Sequence, residues 1–310
     1  MSTQAQRPAG EGPDGKPFAG IFTPIVTPFT ADDRVDEGAL RGNVAHWMAT
    51  PLTGLVVLGS NGEAAQLDEA EADRVVDIVR EGVPADRPLI AGTGRESTRA
   101  TIDATRRAAA AGVDAVLVRT PSFFKAQMTS DVFVEHYTRV ADASPVPVLL
   151  YNVTMFTGVT LAADAVERLA RHPNIAGLKD SGSDIGLIAE FVSRTPDDFT
   201  VLAGSATTLV HAFCAGCDGA ILALAALVPD ACVEMLALVR ARRLDEARAL
   251  QRRLMPIARS VGSTFGVAGL KAALDIIGLR GGLPRPPLQP AAPSTLDIIR
   301  GQLEALAVKV

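Results

Sequence analysis

From residue 21 onward the chain alternates short apolar runs with longer segments in which apolar residues recur every three or four positions. The short runs are 21–26, 55–58, 89–91, 115–118, 146–151, 175–178, 200–203 and 220–222. Continuous apolar runs of this length, bounded by turn residues, predict strands buried on both faces, as in a parallel sheet covered by helices. The segments between them carry helix signals. Asp68 with Glu71 three positions on forms a capping box, and Ala72, Val75, Val76 and Val79 then mark one helical face. Leu40, Val44, Trp47 and Met48 repeat that pattern after Asp36. The Ala-rich stretch 100–111 stops at Gly112, and the stripe Leu209, Val210, Phe213 stops before Gly216. Glycine suits the left-handed position that closes a helix.

An internal echo strengthens the pattern. Residues 111–117 read AGVDAVL and residues 215–221 read AGCDGAI, each a helix end, a glycine, an aspartate and an apolar strand. A reused strand–helix unit suits an all-parallel array, and eight such units close into a barrel. After about Pro229 only helical patterns remain, broken near 281–287. The expectation is an α/β fold: a (β/α)8 TIM barrel over 18–228, a C-terminal helical extension over 229–310, and a loose Gly/Pro-rich tail over 1–17.

Composition narrows the function. Of 310 residues 48% are apolar and 21% charged, and the net charge is −5, which excludes a disordered chain. A core of this size needs neither disulfides nor a structural metal. Arg and Lys are dispersed rather than massed, which argues against a nucleic-acid partner. Apolar runs stay short of about 20 residues, so no membrane span is expected. Three cysteines make no disulfide framework, and the N-terminus shows no basic head followed by an apolar stretch; both point to the cytoplasm.

In a parallel barrel, chemistry gathers at the C-terminal ends of the strands. The polar residues there are Gly59-Ser60-Asn61-Gly62-Glu63, Gly92-Thr93-Gly94, Tyr151-Asn152, Lys179-Asp180-Ser181-Gly182 and Gly204-Ser205. Lys179 is the most informative. The chain has five lysines (16, 125, 179, 271 and 309) against 25 arginines, so a lysine at a buried strand end asks for a reason. An amine forms a Schiff base with a ketone and a guanidinium does not, and burial favours the neutral, attacking amine. The bland alternative is a side chain snorkelling to water or pairing with Asp180. Tyr151 could relay protons to the carbinolamine, or simply reach its hydroxyl to solvent. The Gly59–Gly62 loop could turn its amides toward a carboxylate, or be a tight turn. The other tyrosine, Tyr137, is expected on a helix flank facing the barrel's outside.

Weaker signals fall away. Gly92-Thr93-Gly94 with Asp114 imitates half a dinucleotide fingerprint, but Ser97 replaces its third glycine and Asp114 precedes its strand. Cys214 and Cys217, with His211 nearby, lie where a helix ends rather than begins, and no second pair completes a zinc site. His46, His136 and His172 form no Ser-His-Asp grouping. No metal or organic cofactor is called for.

Together, Tyr151-Asn152, Gly177-Leu178-Lys179-Asp180 and the Gly-Ser-Asn-Gly-Glu loop resemble the dihydrodipicolinate synthase / N-acetylneuraminate lyase superfamily. The likeness spans about residues 20–306 and includes Thr23-Pro24, Thr27-Pro28-Phe29 and Ala91-Gly92-Thr93-Gly94. Within it the chain most resembles 4-hydroxy-2-oxoglutarate aldolases, through Lys179-Asp180-Ser181-Gly182, Leu202-Ala203-Gly204-Ser205-Ala206, Phe265-Gly266-Val267-Ala268-Gly269-Leu270-Lys271 and Pro287-Leu288-Gln289. The resemblance implies a pyruvate-linked class I aldolase or lyase on a (β/α)8 barrel, with the covalent Schiff base in place of a cofactor. It gives Lys179 the Schiff base, Tyr151 the proton relay and Ser60 the hydroxyl linked to it. It further implies that Asn61, with Ser60, holds the pyruvate carboxylate and that Ile221 contacts pyruvate through its backbone, with Ser181, Gly204 and Ser205 lining the substrate site. It also implies a homotetramer built from dimers. The lead reaction is cleavage of 4-hydroxy-2-oxoglutarate to pyruvate and glyoxylate. The alternatives are dihydrodipicolinate synthase, another 2-oxo acid aldolase or dehydratase, and a non-catalytic 2-oxo acid sensor.

Two departures accompany the likeness. Where the family often has a tyrosine reaching the neighbouring subunit's site, this chain has Phe123 and Phe124. Where the synthases place proline and then a carboxylate-binding arginine after Tyr-Asn, it has Thr154 and Phe156. The second change weakens the synthase reading and admits an apolar or aromatic aldehyde.

Overall fold

Each of the eight apolar runs supplies a strand in the computed structural model, which describes residues 16–308. The strands are β1 (Gly20–Pro24), β2 (Gly54–Val57), β3 (Leu89–Gly92), β4 (Ala115–Arg119), β5 (Val148–Asn152), β6 (Ile175–Asp180), β7 (Thr200–Ala203) and β8 (Gly219–Ile221). They pair in parallel in sequence order, and β8 returns to β1 through Gly20 opposite Gly219 and Phe22 opposite Ile221. The closed eight-stranded barrel is therefore the architecture. Strand ends differ from the apolar runs because burial is not the same as ladder pairing. Ile25 and Val26 are buried in the loop after β1, whereas polar Lys179 and Asp180 continue the β6 ladder.

Alternation along the strands divides the core in two. Phe18, Phe22, Val56, Ile90, Leu117, Leu149, Leu202 and Ile221 fill the barrel interior. The intervening residues, among them Leu55, Val57, Val116, Leu150, Leu178 and Val201, pack outward against the helices. Tyr151 belongs to the inner set, two residues beyond Leu149.

The helix signals also hold. Asp36 accepts the Ala39 N–H (2.9 Å) and opens the helix Glu37–Met48, and the Asp68–Glu71 capping box opens Glu69–Gly82. Gly112 and Gly216 follow helix ends with φ of +87° and +107°, where a side chain would be strained. The helix Pro229–Arg240 packs on the helix Leu209–Cys214 and on β1, completing the outer ring.

The remaining chain forms the helices Leu244–Arg259, Gly266–Ile276 and Pro293–Glu304, with the expected break between the last two. That break returns to the barrel. Arg280 exchanges two hydrogen bonds with Asn43 (2.7 and 3.0 Å). The Arg285 guanidinium donates to both Glu71 oxygens (2.6 and 2.7 Å) and to Asp33 (3.1 Å). Of the expected loose tail 1–17, all but Lys16 and Pro17 lies outside the described residues. Lys16 pairs with Asp218 at 2.9 Å, and the Pro17 carbonyl accepts from Thr200. No helix among the described residues is long and apolar enough to cross a membrane.

Candidate active site

The register of β5 and β6 sets Tyr151 beside Lys179, and β7 sets Leu202 on the other side of Lys179. Both polar side chains stand on the inner face at the C-terminal end of the barrel. The Lys179 ammonium lies 4.4 Å from the centroid of the Tyr151 ring. Lys179 is only 5% exposed, so it does not snorkel to water. Nor does it depend on Asp180, whose side chain leaves the strand on the opposite face. The Asp180 carboxylate accepts from Asn152 Nδ2 (2.6 Å) and the Gly182 N–H (3.1 Å). Burial raises the Asp180 pKa and Asp184 adds to it, more than those two hydrogen bonds lower it. Asn152 Oδ1 accepts the Leu161 N–H (3.1 Å), so the Asn152–Asp180 pair locks the ends of β5 and β6 together.

The Tyr151 hydroxyl lies 3.4 Å from Ser60 Oγ. Burial alone would push this phenol up. The Lys179 ammonium, with hydrogen bonds from Ser60, Ser181 and Lys179, outweighs that penalty and holds its pKa below the ordinary tyrosine value. Ser181 is seated by its neighbours: its N–H donates to the Asn152 carbonyl (2.9 Å), and a Cβ at Gly204 would stand 2.1 Å from its hydroxyl. Only glycine at 204 leaves Ser181 this room. The Gly204 N–H donates to the Asp180 carbonyl (2.6 Å). Ser205 is engaged elsewhere, sharing a hydrogen bond with Thr207 (2.9 Å). Ile221 is buried in the inner cluster with Tyr151 and Leu202.

Ser60 and Asn61 sit in a single 3-10 turn, Ser60–Gly62, directly after β2. The turn is fixed by the Gly62 N–H to the Gly59 carbonyl (3.1 Å), the Glu63 N–H to the Ser60 carbonyl (3.1 Å), and the Thr27 hydroxyl to the Gly62 carbonyl (2.7 Å). The fold thus gathers Lys179, Tyr151, Ser60 and Ser181 around one point, with Asn61, Gly204 and Ile221 adjoining. Ser205 is the sequence candidate whose hydroxyl is already committed to another side chain.

The rim is apolar. Phe123 and Phe124 meet edge to face with centroids 5.1 Å apart, and they are 79% and 64% exposed. Glu96 holds their loop by accepting the Ser122 and Phe123 N–H groups (2.9 and 2.8 Å). Met155 and Phe156, after β5, are also exposed. The two loops meet where Lys125 crosses Gly158: a Cβ there would stand 2.8 Å from the Lys125 ammonium nitrogen.

The remaining residues stand apart from this point. Tyr137 lies outside the barrel interior, as expected from its helix, but it is fully buried there and donates to the Val118 carbonyl (3.1 Å). Burial pushes its phenol far above the ordinary range. The Cys217 thiol is pushed up to about 12 by burial, with Asp218 and Asp180 adding to the rise, the reverse of a redox-active thiol. His136 is buried against Thr98 (2.9 Å), and His172 pairs with Asp142 (3.1 Å). Sequence reasoning assigned no role to Glu63 or Lys271, a buried ion pair behind the Ser60 turn. The rarity of lysine, the argument that singled out Lys179, applies equally to Lys271.

The sequence profile of the dihydrodipicolinate synthetase family matches residues 17–306. The chain belongs to that family. It is 32% identical to 4-hydroxy-tetrahydrodipicolinate synthase of Methanopyrus kandleri, over 95% of this chain and 98% of that one. It is 34% identical to a probable mitochondrial 4-hydroxy-2-oxoglutarate aldolase of Emericella nidulans, over 89% of this chain and 90% of that one. Among solved structures, the dihydrodipicolinate synthase of Acinetobacter baumannii complexed with pyruvate superimposes with a TM-score of 0.88. It shares 30% identity, over 94% of this chain and 99% of that one. This member of the dihydrodipicolinate synthetase family is therefore an enzyme of the carbon–carbon lyase class, within the class I pyruvate-dependent aldolase superfamily. Relatives of both names fall at similar identity, so identity alone does not assign the substrate.

Proposed function

We propose that this enzyme forms its Schiff base on Lys179 and cleaves 4-hydroxy-2-oxoglutarate to pyruvate and glyoxylate. The observation that carries the reading is a buried lysine stacked on a tyrosine whose hydroxyl lies 3.4 Å from Ser60. The neutral Lys179 amine adds to the C2 ketone, and loss of water from the carbinolamine gives an iminium. Removal of the C4 hydroxyl proton breaks the C3–C4 bond. Its electron pair passes into the iminium as an enamine, and glyoxylate leaves. Protonation at C3 and hydrolysis release pyruvate and restore the amine. The iminium is the electron sink, so the reading calls for no metal or organic cofactor. Tyr151 moves protons at the carbinolamine, in exchange with Ser60. The Ser60–Asn61 turn takes the pyruvate carboxylate, with Ile221 and the Ser181, Gly204 and Ser205 segment lining the site.

Phe156 offers no charge to a second carboxylate, which weighs against the synthase reaction. Lys125, lying across Gly158 between the two rim loops, is the cation we assign to the distal carboxylate of 4-hydroxy-2-oxoglutarate. The exposed Phe123, Phe124, Met155 and Phe156 favour a second reading, an aldolase whose aldehyde is apolar or aromatic. A panel of 2-oxo acid aldols scored by pyruvate release tests both. The lead reading expects the highest kcat/KM for 4-hydroxy-2-oxoglutarate; preference for an aryl or alkyl aldol would install the second. Release of no pyruvate from any member, with synthase activity present, would overturn both. We also infer a cytoplasmic homotetramer, with Phe123 and Phe124 at the dimer contact.

A further inference from the structure

Behind the Ser60 turn lies a buried ionic cluster. Glu63 and Lys271 are 2% and 0% exposed. The Lys271 ammonium pairs with Glu63 Oε1, donates to the Leu283 carbonyl (2.9 Å), and lies 4.4 Å from the centroid of Phe29. Glu63 Oε2 accepts the Arg285 N–H (2.7 Å), and the Arg285 guanidinium covers Phe29 at 4.2 Å. Lys271 and Arg285 come from the C-terminal extension, and Glu63 comes from the loop after β2. One carboxylate thus fastens the extension to the turn that carries Ser60 and Asn61.

Three features make this more than packing. A buried ion pair adds little stability over apolar residues of similar volume, because desolvating both charges offsets their attraction. Glu63 adopts φ +54°, a left-handed conformation that residues other than glycine avoid, so its side chain is held there at a conformational cost. Its own N–H closes the turn on the Ser60 carbonyl (3.1 Å), and the Ser60 hydroxyl meets Tyr151 at 3.4 Å, near the limit of a hydrogen bond. A shift of Ser60 by a few tenths of an ångström away from Tyr151 would take that contact beyond hydrogen-bond range.

We propose that Glu63 and Lys271 are positioning residues, whose buried pairing holds Ser60 and Asn61 in the geometry that receives the 2-oxo acid carboxylate and engages Tyr151. The proposal rests on the Schiff-base reading of Lys179. It makes the C-terminal extension part of the apparatus that positions substrate.

The test uses the full chain with Glu63→Gln, Lys271→Met, the double variant Glu63→Gln/Lys271→Met, and Leu169→Ala, a core truncation in the helix Ala163–Leu169 outside the extension. Each is measured for its thermal midpoint, for the pyruvate concentration giving half-maximal borohydride trapping, and for kcat. Glu63→Gln keeps an acceptor for the Arg285 N–H, but it loses the charge and turns an amide donor toward Lys271. It should raise the half-saturating pyruvate about tenfold and lower kcat by up to about 10²-fold, the scale of a misplacement transmitted to the chemistry. The double variant should regain thermal stability, having no orphaned charge, while its half-saturating pyruvate stays raised. Leu169→Ala should lower the midpoint and leave half-saturation unchanged. Restored half-saturation in the double variant, or an equal rise in Leu169→Ala, would overturn the positioning role alone. Absence of any adduct in the wild type would overturn the Schiff-base reading, and this proposal with it.

Discussion

Tyr151 is one of two tyrosines in the chain, and their surroundings shift the two phenols in opposite directions. Burial pushes Tyr137 far above the ordinary phenol range, whereas the Lys179 ammonium and three hydrogen bonds hold Tyr151 below it despite its burial. Tyrosinate absorbance during alkaline titration should therefore report Tyr151 first. A hydrogen bond donated by Ser60 favours the phenolate, so Ser60→Ala should move the transition to higher pH, and Lys179→Met, which removes the cation, should move it up as well. An unchanged transition in both would mean that neither group faces the phenol. In turnover, Tyr151→Phe should slow kcat by about 10² to 10⁴, the usual worth of a positioned acid/base group. The pyruvate concentration giving half-maximal trapping should change far less, because carboxylate binding is assigned to the Ser60–Asn61 turn. Near-normal turnover in Tyr151→Phe would send the relay through water or Ser60 alone. Lys125→Met should raise KM for 4-hydroxy-2-oxoglutarate and leave pyruvate trapping unchanged; a KM that does not move removes Lys125 from the distal carboxylate.

At the scale of elements, the period of two along β5 and β6 creates the site, turning Tyr151 and Lys179 inward while Asn152 and Asp180 knit the strand ends outside. This much was legible in the sequence, since alternation, strand spacing, the Asp68–Glu71 cap and Gly112 are local features. Strand ends were less legible: Lys179 and Asp180 extend β6 through pairing with β5 and β7 that no local pattern records. Glu63, Lys271 and Arg285 are remote in sequence and meet only after the barrel has closed and the extension has folded back, so no spacing rule connects them. Helix Ser130–Ala143 carries a separate, testable consequence of burial. His136 is pushed down to about 4 by its surroundings, mainly burial and then Arg139, from an ordinary value of 6.5. Between those values the unfolded chain binds the proton and the folded chain does not, so stability rises with pH across the window and is lost as pH falls through it. The loss approaches about 1.4 kcal/mol per pH unit. Urea unfolding between pH 6.5 and 4 should show this slope, and His136→Phe should reduce it; an equal slope in the variant would place the titrating group elsewhere.

For the whole molecule, the barrel fixes where chemistry occurs and the extension braces one of its loops. The exposed pair Phe123 and Phe124 on one such loop is what the proposed tetramer would cover. Light scattering at micromolar concentration should report four 32.4 kDa chains, and Phe124→Asp should shift the particle to smaller species; a wild-type monomer would refute the assembly. The central claim is chemical and concerns a single nitrogen. The most direct measurement is borohydride reduction in the presence of pyruvate, followed by peptide mapping by mass spectrometry. The account predicts one reduced three-carbon adduct, on Lys179, and none in Lys179→Ala. An adduct on Lys16, Lys125, Lys271 or Lys309 instead, or full activity in Lys179→Arg, would contradict it.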